Sequence, residues 1–570
     1  MKRNKIFILF VFILMYHCKI NPSVSPNDME ANNVSLMTQL LLNPRNLNCK
    51  FSPENGAIVQ TVSSIVIECQ TILQPINTDS HAELEKNFSL IRKDNFKLEL
   101  LPLETVTEGK IQINFDFLLD TNGRTLSEPN YEITVDKTNP TVKTEFGTSL
   151  VGLSDFDKGF IELEYSEPMK NHLAVGNYSF GGIGGGDLII SEIAKLDGNK
   201  IRIFILGNVN RNGGEVTLTL RNITDMSGNT LSDSLVKINM IGARIVANLS
   251  QGRRNHASVY FNGKIYVFGG RVTNSATTAL NTLEIFNPET LQIENLISWS
   301  AGIAPALSLH RAVLLSNQKI LIVGGVNASS VNVATSFLFD PISETFSSGP
   351  NLTAQRRDFL THTIGSIHYI IGGTGTGSNS IEKYSESSNA FSASFNMQKS
   401  RTAKASICSS NDSTFSVFGG ATGTDAIETF NVSSGIATVS SSVDAIGNVV
   451  CKIGSEDFRF AGQSDSAQKW NLALNTKTSE FVMEQAGRSG FSNLEYGETQ
   501  DIIIGGLIGA NVTDSIELID WEKNKSRQIG KLNYPKSSGT LTKIPNENRA
   551  YYIGGQYSNA SYNIIEEIRW

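Results

Sequence analysis

Charge is scarce in this chain: 18% of its 570 residues are charged, and the formal net charge is −7. Nucleic-acid binding draws on clustered Lys and Arg that neutralise phosphates. Neither the sign nor the density of charge offers that here, so no nucleic-acid partner is expected. Proline is sparse as well, with 15 residues against 48 glycines. Together with 40% hydrophobic residues, this balance excludes a disordered chain and points to a turn-rich, all-β globular protein. Long apolar runs are missing beyond the start. The one run, residues 6–15 behind Met-Lys-Arg-Asn-Lys, falls short of the ~20 residues that span a bilayer. It fits the basic start and apolar core of a secretory signal peptide.

Histidine numbers only 7. His256, His310, His362 and His368 lie near the first strands of different repeats described below, and no two have the i, i+4 spacing of a helix-borne metal pair. They are expected in core or rim roles. No catalytic residue, metal or cofactor is expected. The 5 cysteines divide by position. Cys49 and Cys69 flank a hairpin-like stretch and are expected to form a disulfide in an oxidising compartment. Cys408 and Cys451 fall near equivalent points of neighbouring repeats and are expected as buried free thiols. Cys18 directly follows the apolar run, and 19–33 reads as a polar tether. This layout resembles a bacterial lipoprotein, which implies lipidation of Cys18 and a membrane anchor. Met15 and His17 stand where that pattern has Leu and a small residue, so ordinary secretion with cleavage elsewhere stays open.

Two related units precede residue 240. Asp120-Thr-Asn-Gly123-Arg-Thr-Leu-Ser127 matches Asp225-Met-Ser-Gly228-Asn-Thr-Leu-Ser232, and Asn87-Phe-Ser-Leu90 matches Asn177-Tyr-Ser-Phe180. Ile111-Gln-Ile-Asn-Phe, Phe160-Ile-Glu-Leu-Glu-Tyr and Lys200-Ile-Arg-Ile-Phe-Ile-Leu alternate as half-buried strands do. The Asp-x-x-Gly tetrads are turns, in which Asp accepts from nearby amides and Gly takes a positive φ. A calcium role for these Asp residues is the weaker reading. On Tyr165-Ser-Glu-Pro-Met169, Asp225-x-x-Gly-Asn229 and Val135-Asp-Lys-Thr-Asn-Pro140, both units resemble bacterial Ig-like domains, which implies β-sandwiches serving as stalk or spacer.

A stronger period follows. Tyr266-Val-Phe-Gly-Gly270, Leu321-Ile-Val-Gly-Gly325, Tyr369-Ile-Ile-Gly-Gly373, Phe415-Ser-Val-Phe-Gly-Gly420, Ile502-Ile-Ile-Gly-Gly506 and Tyr551-Tyr-Ile-Gly-Gly555 recur, with a degenerate copy at Phe458-Arg-Phe-Ala-Gly462. Each is followed by a loop and an apolar strand, often bearing an aromatic, such as Leu283-Glu-Ile-Phe or Ile381-Glu-Lys-Tyr. The segment resembles the kelch family, which implies a seven-bladed β-propeller of four-stranded blades. The last repeat is one strand short, and 244–249 is expected to complete it and close the ring. The organisation expected is therefore a signal peptide at 1–18, a tether at 19–39, Ig-like sandwiches at 40–138 and 139–242, and a seven-bladed kelch propeller at 243–570.

Basic residues recur in the loops leading into successive repeats: Arg253, Arg254, Arg356, Arg357, Arg401, Arg488 and Lys536. A ring of them could line one mouth of a channel and grip carboxylate or sulfate groups, or bond neighbouring loops as structure. The function expected is a non-enzymatic exported protein at the cell envelope or outer surface, lipid-anchored, whose propeller binds an extracellular protein or glycan. Two alternatives stand beside it. A galactose-oxidase-like enzyme shares the architecture, but that family takes one copper ligand from a domain after the propeller, which is not found here. A purely structural envelope role is the other.

Overall fold

The computed structural model describes residues 46–76, 84–401, 405–411, 413–420, 427–434, 437–439, 449–453, 458–462, 466–471 and 476–570. Their regular structure is almost wholly strand, and they form two compact units. The expected leader, tether and Cys18 lie outside these residues. Among the described residues, no helix is long and apolar enough to cross a membrane.

The first unit is built on 46–141, with 166–172 and 222–232 joining it. Cys49–Ser52, Ile65–Cys69, Lys97–Pro102 and Phe88–Arg92 form one antiparallel sheet. Ile58–Val59, Asn130–Val135 and Gly109–Asn114 form a second. Alternation decides the core: Ile65, Ile67, Leu98, Leu100, Phe115, Tyr131 and Ile133 are all buried in one cluster, while their strand neighbours face outward. Cys49 and Cys69 are directly paired across the sheet and joined by a disulfide. The Asp-x-x-Gly turns form as expected. Asp120 accepts from the amides of Asn122 and Arg124 at 2.9 Å, and Asp225 accepts from those of Gly228 at 2.6 Å and Asn229 at 2.8 Å.

The second unit begins with strands read correctly from alternation. Phe160–Tyr165 and Lys200–Leu206 pair, with Ile161, Leu163, Ile201 and Ile203 buried. Tyr178–Gly181, Gly214–Leu220 and Leu235–Met240 form a further sheet.

From 242 onward the pattern changes. In the strand Lys264–Phe268, Ile265, Tyr266, Val267 and Phe268 are all buried. Unbroken burial means that both faces of the sheet are covered, unlike the half-exposed strands before it. The same holds for Ile320–Val323, Ile367–Ile371, Gln500–Ile504 and Arg549–Ile553 apart from their first residues in two cases. Each is the second strand of a four-stranded antiparallel meander, and seven such sheets are present among the described residues. In the first, Ala257–Phe261, Lys264–Phe268, Thr282–Asn287 and Gln292–Ser298 follow in order. The last is completed by Gly242–Asn248, which pairs antiparallel with Ile564–Arg569, as the closure expectation required.

Neighbouring sheets cover one another. Tyr266 meets Phe339 with ring centroids 5.8 Å apart, Tyr369 meets Phe415 at 5.3 Å, and Phe481 meets Trp521 at 5.8 Å. Phe286 of the first sheet meets Tyr551 of the last at 5.1 Å. Ala257–Phe261 packs beside both Arg311–Leu314 and Thr540–Lys543. An all-β chain of small antiparallel sheets arranged this way fits a kelch-type propeller. Paired glycines end six of the seven second strands for two reasons. Gly269 and Gly270 sit at φ 55° and 94°, and a Cβ on Gly270 would lie 2.8 Å from the Arg254 carbonyl oxygen. Only glycine meets both demands.

One cysteine expectation is corrected. Cys408 is disulfide-bonded rather than free. Its strand, Ala405–Asn411, packs directly beside Val449–Ile453, the strand that carries Cys451. The adjacency of consecutive repeats, not visible in either repeat alone, brings the two strands together.

Candidate functional site: the lead-in loops

Five of the loops leading into the first strands share one backbone device. Asn255, Leu309, Asp358, Gly490 and Ser538 all take positive φ between 52° and 59°. Their backbones are strung together. The Asp358 amide donates to the Leu309 carbonyl, the Leu309 amide to the Asn255 carbonyl, and the Asn255 amide to the Ser538 carbonyl, each at 2.9 Å; Ser538 donates to Gly490 at 3.4 Å. The third, second, first, seventh and sixth sheets are tied in that order at this end.

The seven basic residues expected to line a mouth here divide in two. Arg253, Arg356, Arg401, Arg488 and Lys536 are fully buried, each at 0% exposure. They point into the sheets and pair with glutamates on the third strands. Arg253 pairs with Glu284, Arg356 with Glu382 at 2.5 Å, Arg401 with Glu428 at 2.8 Å, Arg488 with Glu517 at 3.1 Å and Lys536 with Glu566 at 2.7 Å. The guanidiniums also cap backbone carbonyls beside the glycine turns, as Arg253 does with Gly269 at 3.0 Å and Arg356 with Gly372 at 2.9 Å. The glutamates in turn accept from lead-in amides, such as Ser250 to Glu284 at 2.6 Å and Thr353 to Glu382 at 2.6 Å. Burial draws the Arg253, Arg356, Arg488 and Lys536 cations down from their ordinary values, against the pull of their glutamates. Ligand contact is therefore replaced, for these five, by a structural role.

The second sheet shows how the pair is lost. Leu307 and Phe337 stand at the corresponding places, both at 0% exposure and in one core cluster. Removing one partner of a buried ion pair strands the other, whereas an apolar pair of similar volume is tolerated. Each sheet with both positions described holds either both charges or neither. The glutamates were the residues missed from sequence. Their signal was present in the recurring apolar-Glu step of Leu283-Glu284, Ile381-Glu382, Ile427-Glu428 and Ile516-Glu517.

Arg254 and Arg357 are placed differently. Alternation turns Arg254 to the side opposite Arg253. It is 5% exposed, and its Nε and Nη1 have no hydrogen-bond partner. Arg271, just beyond the Gly269-Gly270 turn, is paired opposite it, with reciprocal backbone bonds of 3.1 and 3.0 Å. Arg357 is half-buried and donates to Asn332 Oδ1 at 3.0 Å. Burial, and then Arg271, push Arg254 down to about 10. Burial and then Arg357 likewise lower Arg271. Asp358 lies among them: burial raises its carboxyl, opposed by Arg311, Arg357 and Arg271.

Residues 252–292 match the Kelch motif. The matched segment runs from the Arg253 lead-in through both glycines to Glu284 and the fourth strand of the first sheet, so the motif coincides with one structural repeat. No curated protein matches the chain. Kelch repeats suggest a propeller module that binds proteins, and the all-β architecture agrees with it.

The histidines are scaffold as well. His256 and His310 are buried, with His256 Nε2 2.9 Å from Thr540 Oγ1, and His368 bonds Glu386 at 2.8 Å. In the first unit, carboxylates of Asp136, Glu167 and Asp225 lie within 4.8 Å of one another. Asp225 is already engaged by its own turn and by Asn229 Nδ2 at 2.8 Å, which favours the turn reading. A cavity of about 240 Å³ is lined by Ser149, Asp155, Lys523 and Arg527, of which Asp155 and Arg527 pair with each other at 2.7 Å.

Proposed function

We propose that this chain is an exported, non-enzymatic binding protein, in which the seven sheets are the blades of one closed kelch propeller and two Ig-like domains carry it. The observation that supports binding is the character of one end of the second unit. The described lead-in loops are pinned there by buried ion pairs and by the chain of backbone bonds, while the described loops after the glycine pairs carry exposed residues and differ in sequence. Asn274, Ser275 and Thr277 project from the first, and Val331 is 51% exposed on the second. Tyr534 and Tyr557 are exposed at the seventh, at 42% and 53%. Tyrosine on a rigid platform supplies contact area at low entropic cost, which suits a protein or glycan partner.

Export has its own support. Disulfides at Cys49–Cys69 and at Cys408 persist in oxidising compartments and are rare elsewhere. On this reading Cys18 is lipidated and holds the protein at the cell envelope. Metabolic labelling with palmitate should mark the wild-type chain and not C18S; equal labelling removes the anchor.

Binding is tested by screening the whole chain against arrays of purified extracellular proteins and glycans, beside a Y534A/Y557A variant. Binding that the double substitution weakens at least tenfold, with melting unchanged, places the function on this face. Binding indifferent to it moves the function elsewhere, and silence on every array favours a structural envelope role.

A further inference from the structure

The proposed binding face contains a cluster of cations that the fold does not use. Five lead-in cations have buried glutamates, whereas Arg254, 5% exposed, has no carboxylate partner among the described residues. Two of its donors lack any partner. Its cross-strand neighbour Arg271 is a second guanidinium, whose Nε is also without a partner. Like charges placed directly opposite each other destabilise a strand pair, and buried donors left unmatched cost free energy. Structure alone gives no return for this arrangement. In the second sheet the fold puts Ser308 and Val326 at the corresponding places without disturbing the repeat. Arg357, bonded to Asn332 at 3.0 Å, adds a third guanidinium that acts on Arg271. Among the described residues the acid that interacts with Arg271 and Arg357 is Asp358, which Arg311 also faces, so four guanidiniums stand against one carboxyl.

We propose that Arg254, Arg271 and Arg357 form an oxyanion site at the lead-in end of the second unit, which takes a carboxylate, phosphate or sulfate group through forked guanidinium bonds. It rests on the binding role proposed above and gives it a chemistry: the partner presents an acidic group to this end.

The test uses the whole chain and two probes, inorganic sulfate and a hexaglutamate peptide, each against sodium chloride of equal ionic strength. Wild-type melting temperature should rise saturably with sulfate. R254Q and R271Q should each weaken the apparent affinity at least tenfold, while melting no lower than wild type in chloride, because the opposed charges are relieved. Should either glutamine variant fail to fold, R254K retains the charge without the fork and should still weaken sulfate. Hexaglutamate that competes with sulfate identifies the acidic group as a partner's carboxylate. Sulfate binding without competition assigns the site to a free oxyanion, and detaches it from partner capture while leaving the site intact. Equal sulfate responses in wild type, R254Q and R271Q would overturn the proposal, and would mean that solvent alone satisfies these guanidiniums.

Discussion

The amide of Asn255 donates to the carbonyl oxygen of Ser538 at 2.9 Å. Residues 283 positions apart are thereby joined where the first and last sheets meet. A few residues away, His256 Nε2 bonds Thr540 Oγ1 at 2.9 Å and Ser258 Oγ bonds Thr542 Oγ1 at 2.7 Å. The seam is thus sealed by polar side chains on the innermost strands, and by Gly242–Asn248 pairing with Ile564–Arg569 on the outside.

Removing 242–248 should leave the edge of Ile564–Arg569 unpaired, with Glu567 deprived of Arg244. The expected outcome is loss of the cooperative transition of the whole second unit, seen by calorimetry. An unchanged transition would show that the closing strand is dispensable.

The buried pair Arg253–Glu284 can be tested against its natural apolar counterpart. Arg253→Leu alone strands a buried carboxylate and should cost about 3–5 kcal/mol in urea unfolding. Arg253→Leu with Glu284→Phe copies Leu307 and Phe337, and should recover most of that loss. A double variant as unstable as the single would mean that the carbonyl-capping role of Arg253 outweighs the charge pairing.

Acid should act through two histidines. Burial holds His256 well below its ordinary range and His310 down to about 3. The folded state therefore binds protons less readily than the unfolded chain, whose histidines titrate near 6.5. Their contribution is complete above about pH 6.5 and is lost as pH falls, by about 1.4 kcal/mol per histidine per pH unit. His310→Gln should flatten this acid limb between about pH 6 and 4, measured as melting temperature against pH. An unchanged limb would assign acid lability to other groups.

The Cys49–Cys69 disulfide closes a loop with a sequence separation of 20. Its replacement by Ala at both positions should lower the stability of the first unit by about 3 kcal/mol through the freed unfolded chain. The second unit should be unaffected, which limited proteolysis followed by mass spectrometry of the two units would verify.

The repeats were legible because Gly-Gly is demanded twice, by φ and by the close approach of a neighbouring backbone, so few substitutions survive there. The closing strand was legible from arithmetic, since the last repeat lacks a strand and 244–249 was left over. The facing of adjacent basic residues was not legible. Arg253 and Arg254 are chemically identical, and only the register that places Glu284 opposite Val267 decides which one is swallowed by the sheet. Cys408 was misread for a related reason: its surroundings are set by the next repeat, and a spacing within one repeat does not reveal them.

The loop at 272–280 starts from Arg271, locked to Arg254, and ends at Leu280, whose amide donates to Gly270 at 2.8 Å while its carbonyl accepts from Leu307 at 3.0 Å. Both stems are therefore held by neighbours, in addition to bonds within the loop such as the Val272 amide to the Thr278 carbonyl at 3.2 Å. Such a segment behaves as a cassette. Foreign peptides grafted between these stems would be displayed without rebuilding the scaffold, and the same arrangement lets the display surface diversify while the repeats beneath it stay constant.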